Sequence, residues 1–154
     1  MKREQVTAFV IGQLKNNFAL TDSEATAILD GGIGDRACAR ALYSLTKITE
    51  RFSTKYYEPE INPLNTIAYC NYLYWLSREA FENGLIDVAS KVYYLNKMLN
   101  CVELFYEVEL PEIWTCEHPV GSVMGRAQYG NYFRFYQGCT VGGNRKLKNK
   151  WGGG

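Results

Sequence analysis

Nowhere in the sequence is there an unbroken apolar run near the roughly 20 residues that a membrane-spanning helix needs, which speaks against a membrane protein. The N-terminus, MKREQVTAFVIGQLKNNF, starts basic, but Gly12, Gln13 and Lys15 interrupt its apolar stretch and no small-residue cleavage site follows, so a signal peptide is not expected. An excess of one charge is lacking too. Lys and Arg number 17 against 16 Asp and Glu, and the formal net charge of +1 offers no electrostatic ground for binding nucleic acid or an anionic membrane. The five cysteines, Cys38, Cys70, Cys101, Cys116 and Cys139, are odd in number, widely spaced and without a C-x-x-C pair. Neither a disulfide framework nor a zinc knuckle fits that spacing; buried free thiols in a reducing cytoplasm do, and no metal is expected. Scarcest of all is histidine, present only as His118.

What is present divides into two halves. A chain of 154 residues suits one domain of ordinary size, or two small modules sharing a core. Residues 1–105 read as a helical domain. Val6, Val10, Leu14 and Phe18 recur four apart, the stripe of a short amphipathic helix. TDSEATAILDGG opens with a capping-box pattern, Thr21 with Glu24, and stops at Gly31 and Gly32. A third helix is predicted after Asp35 on the stripe Cys38, Leu42, Leu45, Ile48 and Phe52. A fourth follows Pro63 with Tyr69, Tyr72, Tyr74 and Trp75 and ends near Asn83 and Gly84; a fifth carries Val88, Val92, Leu95, Leu99 and Val102. These stripes are core positions of a helical bundle rather than a cofactor box.

From residue 106 to 154 the period changes. Val123, Tyr129, Phe135 and Val141 recur every six residues, and two positions before each stand Gly121, Ala127, Phe133 and Cys139. That is the pattern of hexapeptide repeats in a parallel β-helix, with Ala127 at a crowded interior position. The large rings of Tyr129, Phe133 and Phe135 fit a narrow coil poorly, and an antiparallel meander with glycine-rich turns explains the periodicity as well.

The motifs EHPVGSVMGRA and YQGCTVGGN, following helical segments and VELFYEVELPEIW, resemble the serine O-acetyltransferases of the hexapeptide-repeat superfamily. The most specific elements are the spacing of His118, Gly121 and Gly125 and the run Tyr136 to Gly143; the likeness spans the fourth and fifth helices through Asn144. The resemblance implies an α+β fold, a helical bundle leading into the first coils of a left-handed parallel β-helix, and transfer of an acetyl group from acetyl-CoA to a hydroxyl, in the type case that of L-serine. It implies His118 as general base, with Glu117 orienting it or binding the acceptor's ammonium, and places Gly142, Gly143 and Asn144 against the acetyl-CoA. It also implies CoA and a small hydroxyl compound as partners, and a homo-oligomer, a trimer or a dimer of trimers. Without the motif, His118 would read as a surface histidine before a proline, and Glu117 as a solvated carboxylate.

Departures from the family bear on the acceptor. Its second active-site histidine has no counterpart here, and its helical-domain Asp-Pro is at best echoed by Asn62-Pro63. An amino-acid acceptor needs counter-charges that a sugar does not, so a sugar O-acetyltransferase is the alternative. Residues 108–154 hold only about two and a half coils of roughly 18 residues. A truncated, poorly active chain that serves as an oligomerisation module is therefore a further expectation. The basic run Arg145, Lys146, Lys148 and Lys150 suits CoA phosphates or a solvated tail.

Overall fold

Five helices followed by five short strands make up the computed structural model, which describes residues 1–52 and 60–143. The helices are α1 (Arg3–Phe18), α2 (Asp22–Asp30), α3 (Ile33–Arg51), α4 (Thr66–Glu82) and α5 (Ile86–Asn100). The capping box at α2 forms as the sequence predicts. Thr21 Oγ1 accepts the Glu24 N–H at 3.1 Å, and the Glu24 carboxylate accepts the Thr21 N–H at 2.8 Å. Lys91 of α5 pairs with the same carboxylate at 2.7 Å, so the cap also ties α2 to α5. Helix α3 begins at Ile33, with Gly32 as its N-cap residue, and places Asp35 in its first turn. Cys38, Leu45 and Ile48 of its stripe are buried, while Leu42 and Phe52 are half-buried.

Helix α4 is the centre of the bundle. Every residue from Ala68 to Ser77 is buried, because apolar and aromatic side chains occupy all its faces rather than one stripe. It packs against α3, α5 and the second strand. At the end of α5, Leu99 is exposed and Val102 has left the helix. The chain turns there through Cys101, whose φ of 52° ends the helix.

The strands are β1 (Val102–Leu104), β2 (Trp114–Cys116), β3 (Ser122–Met124), β4 (Phe133–Phe135) and β5 (Thr140–Val141). All pairings are parallel, which rules out the antiparallel meander. The left-handed β-helix is corrected as well. The strands form two small separate sheets, one ordered β1-β3-β5 and one pairing β2 with β4, and neither closes. Val102 pairs with Ser122, Val123 with Thr140, and Trp114 with Phe133; these separations differ from one another and none is a multiple of six. Of the four period-six residues only Phe135 is buried; Val123, Tyr129 and Val141 are half-buried, and Ala127 is exposed.

The physical reason lies in the aromatics. Phe135 stacks on Trp114 at 6.2 Å, and Phe133 joins Phe135 to Tyr129. Trp114 in turn meets Tyr74 of α4 edge-on at 5.4 Å. These rings pack into one hydrophobic cluster shared with the helices rather than into an interior of their own. Polar anchors fix the junction. Ser44 and Asn71 donate to the Trp114 carbonyl at 2.8 and 3.1 Å, and the Trp114 N–H donates to Ser44 Oγ at 3.0 Å. Tyr74 Oη donates to the Val108 carbonyl at 2.7 Å and accepts the Leu110 N–H at 2.9 Å. Among the described residues, no helix is long and apolar enough to cross a membrane.

Candidate functional site

His118 stands at the corner between β2 and β3. The turn Glu117-His118-Pro119 leaves the second strand with His118 in the left-handed region, φ 50°, and its side chain exposed, while Pro119 is buried. A non-glycine residue with positive φ is uncommon and carries a conformational cost that the surroundings must hold in place. Here the hold is visible. The Gly121 N–H donates to the Cys101 carbonyl at 2.8 Å, and the Ser122 N–H to the Pro119 carbonyl at 3.0 Å. Gly121 has a φ of 75°, which a side chain would resist.

The YQG part of the second motif lies against this corner. The Gly138 N–H donates to the Val120 carbonyl at 3.0 Å, and Ser122 Oγ donates to the Tyr136 carbonyl at 2.5 Å while accepting the Cys139 N–H at 3.2 Å. Gly142 and Gly143 follow β5 and are exposed at the other end of the same short strands, where Met124 pairs with Val141. Among the described residues, nothing stands within 4 Å of the position a Cβ would take on Gly143. Gly125 marks this end of β3. Its N–H donates to the Val141 carbonyl at 2.7 Å, and a Cβ there would stand 2.3 Å from that oxygen. The two glycine-bearing motifs are thus brought side by side, with the His118 corner at one end of β3 and the Gly142-Gly143 corner at the other. Three residues of strand, about 10 Å, separate those ends. Asn144, the third residue assigned to acetyl-CoA, lies outside the described residues, as does the basic run 145–150.

Glu117 is half-buried and continues the pairing of β2 with β4, its N–H donating to the Phe135 carbonyl at 3.1 Å. Its carboxylate forms an ion pair with Arg134 of β4. The Arg134 guanidinium also lies 5.3 Å from the ring centre of Tyr136 and 5.6 Å from that of Phe52. Sequence reasoning missed Arg134. The signal was weak: a lone cation between two phenylalanines in FRF, whose alternation places it on the face opposite theirs. Asn62, of the Asn-Pro echo, uses its side-chain oxygen locally, accepting the Leu64 N–H at 2.9 Å in the turn before α4. Among the described residues, no three His, Cys, Asp or Glu side chains gather as a metal site.

The chain matches no protein-family model, and no curated protein matches it.

Proposed function

We propose that the protein transfers an acetyl group from acetyl-CoA to the hydroxyl of a small acceptor, with His118 as general base. One observation carries this reading: the chain's only imidazole is solvent-accessible on a left-handed corner that hydrogen bonds hold from both sides. An imidazole is the side chain best suited to take the proton of a weak hydroxyl nucleophile at neutral pH. Acetyl-CoA supplies an activated carbonyl. As the acceptor oxygen bonds to it, the imidazole takes the hydroxyl proton; the C–S bond then breaks and the imidazolium gives that proton to the departing sulfur, so that CoA leaves as its thiol and the imidazole is neutral again. Glu117 is the neighbouring carboxylate, and its tie to Arg134 supports a role in keeping the corner in place. Gly142 and Gly143 belong to the proposed acetyl-CoA contact because their exposed backbone lets a long ligand run beside β3 and β5.

L-Serine is the first acceptor to test and a sugar hydroxyl the second. A cytoplasmic location, where acetyl-CoA is made and used, belongs to the same proposal. So does a homo-oligomer, for which exposed Tyr94, Met98 and Leu99 of α5 and Val120 beside the His118 corner provide apolar surface. The decisive measurement is thiol release from acetyl-CoA across a panel of amino-acid and sugar acceptors, for the native chain and His118→Ala. Loss of the base should lower turnover by about 10²–10⁴-fold, with helical circular dichroism unchanged because the side chain is exposed. Equal turnover by the two proteins would remove His118 from the mechanism, and no acceptor-dependent release at all would remove the enzyme reading.

A further inference from the structure

A concavity that plays no part in the His118 corner opens on the helical side of the molecule. A cavity of about 320 Å³ is lined by Ala39, Arg40 and Tyr43 of α3, Trp75 of α4, and Glu112 in the segment entering β2. That volume is at the lower end of the range for small-molecule sites. Its charges are unevenly satisfied. Arg40 lies 2.9 Å from Glu79 and 3.3 Å from Glu82, and its guanidinium carbon lies over Trp75 at 3.9 Å from the ring centre. Lys47, 5.9 Å from the Tyr43 ring centre, is paired with Glu50 at 2.8 Å. Glu79 also pairs with Arg36 at 2.8 Å and Glu82 with Arg78 at 2.7 Å, so Arg40 is engaged in a network of shared ion pairs, and Lys47 is paired as well. Glu112 is exposed and has no ion pair among the described residues, so it is the lining charge left without a counter-charge. Tyr43, on the same cavity wall, is 47% exposed, leaving part of its side chain open to a ligand.

An anionic ligand would have to compete with two carboxylates for Arg40, and a neutral one would gain nothing from Glu112. A cation on an apolar body satisfies both the carboxylate and the aromatic wall, since ring faces attract positive charge as well as apolar surface. We propose that this cavity binds a small organic ammonium compound, with its charge at Glu112 and its apolar body between Tyr43 and the pair Arg40 and Trp75. Nothing in this assignment depends on acetyl transfer.

Benzylammonium, benzyl alcohol and benzoate share a shape and differ in charge, so titrating each against the folded chain isolates the role of Glu112. The assigned indole N–H resonance of Trp75 reports occupancy in two-dimensional nitrogen–proton NMR. Benzylammonium should give a saturable shift, with benzyl alcohol weaker and benzoate weakest. Glu112→Gln, at an exposed position, should weaken benzylammonium by about twofold to fivefold, the loss of one exposed ion pair, and leave benzyl alcohol unchanged. Tyr43→Ala should weaken both. Equal binding of the three compounds, an unaffected Glu112→Gln protein, or no saturable shift up to about 10 mM would each overturn the assignment.

Discussion

A Cβ placed on Gly125 would meet the Val141 carbonyl oxygen at 2.3 Å, and that oxygen already accepts the Gly125 N–H at 2.7 Å. The clash is with backbone, so β5 must move away for any side chain to fit. Gly125→Ala is therefore expected to cost about 1–3 kcal/mol, the usual range for overpacking, read as a lower midpoint in urea unfolding with an unchanged slope. Ala127, two residues on, is the contrasting case. The six-residue pattern marks it as crowded, but it is exposed, and Ala127→Leu should stay within about 0.5 kcal/mol of the native protein. If the Leu variant lost as much stability as Gly125→Ala, the exposure of residue 127 would be in error.

At the scale of elements, the join between α3 and β2 rests on one hydroxyl. Ser44 is fully buried; its Oγ donates to the Trp114 carbonyl and accepts the Trp114 N–H. It serves the strand as a neighbouring strand would. In Ser44→Ala the carbonyl keeps its bond from Asn71, while the N–H is left buried without its acceptor. That orphaned donor should cost about 1–3 kcal/mol. Thermal unfolding followed in parallel by helical circular dichroism and tryptophan fluorescence measures it. A loss of under about 0.5 kcal/mol would mean that water or a strand shift replaces the hydroxyl. Such a side-chain bond leaves no trace in periodicity: Ser44 reads as an ordinary polar position between Tyr43 and Leu45 until β2 is placed against α3.

For the whole molecule, the dense core makes a prediction about alkali. Burial pushes the Cys38 thiol up to about 11 and the Tyr74 hydroxyl up to about 12. Tyr72 moves well upward for the same reason, and Cys116 is raised by its hydrogen bond with Cys70 and then by burial. Each group stays protonated in the fold to a higher pH than in the unfolded chain. Their contribution is full below the unfolded values, 9.0 for the thiol and 10.0 for the phenol, and is lost as pH rises through the folded ones. Stability should thus decline from about pH 9 towards pH 12, with Cys38→Ala reducing the earlier part of the decline, to which Cys116 also contributes. A native protein equally stable at pH 8 and pH 11 would contradict the burial of these groups.

The amino-acid sequence by itself determined the helices: α3 repeats a 3.6-residue stripe, α4 is apolar or aromatic on every face, and α2 is bounded by a signal that acts locally in Thr21 and Glu24. It also placed His118 before a proline and beside glycine-rich motifs, where proline restricts the backbone and glycine frees it; that the chain turns there in the left-handed region is seen in the structure. The strands were another matter. Two or three residues carry too few side chains to set a register, and the apparent six-residue period dissolved once Phe133 and Phe135 could join Trp114 and Tyr74 in the shared core. Only the tertiary structure decided which strands pair, that Arg134 reaches Glu117, and that Glu112 and Tyr43 line one cavity. Those contacts join residues far apart in the chain, and their geometry is set by how the aromatic side chains fill one common interior rather than by any spacing along the sequence.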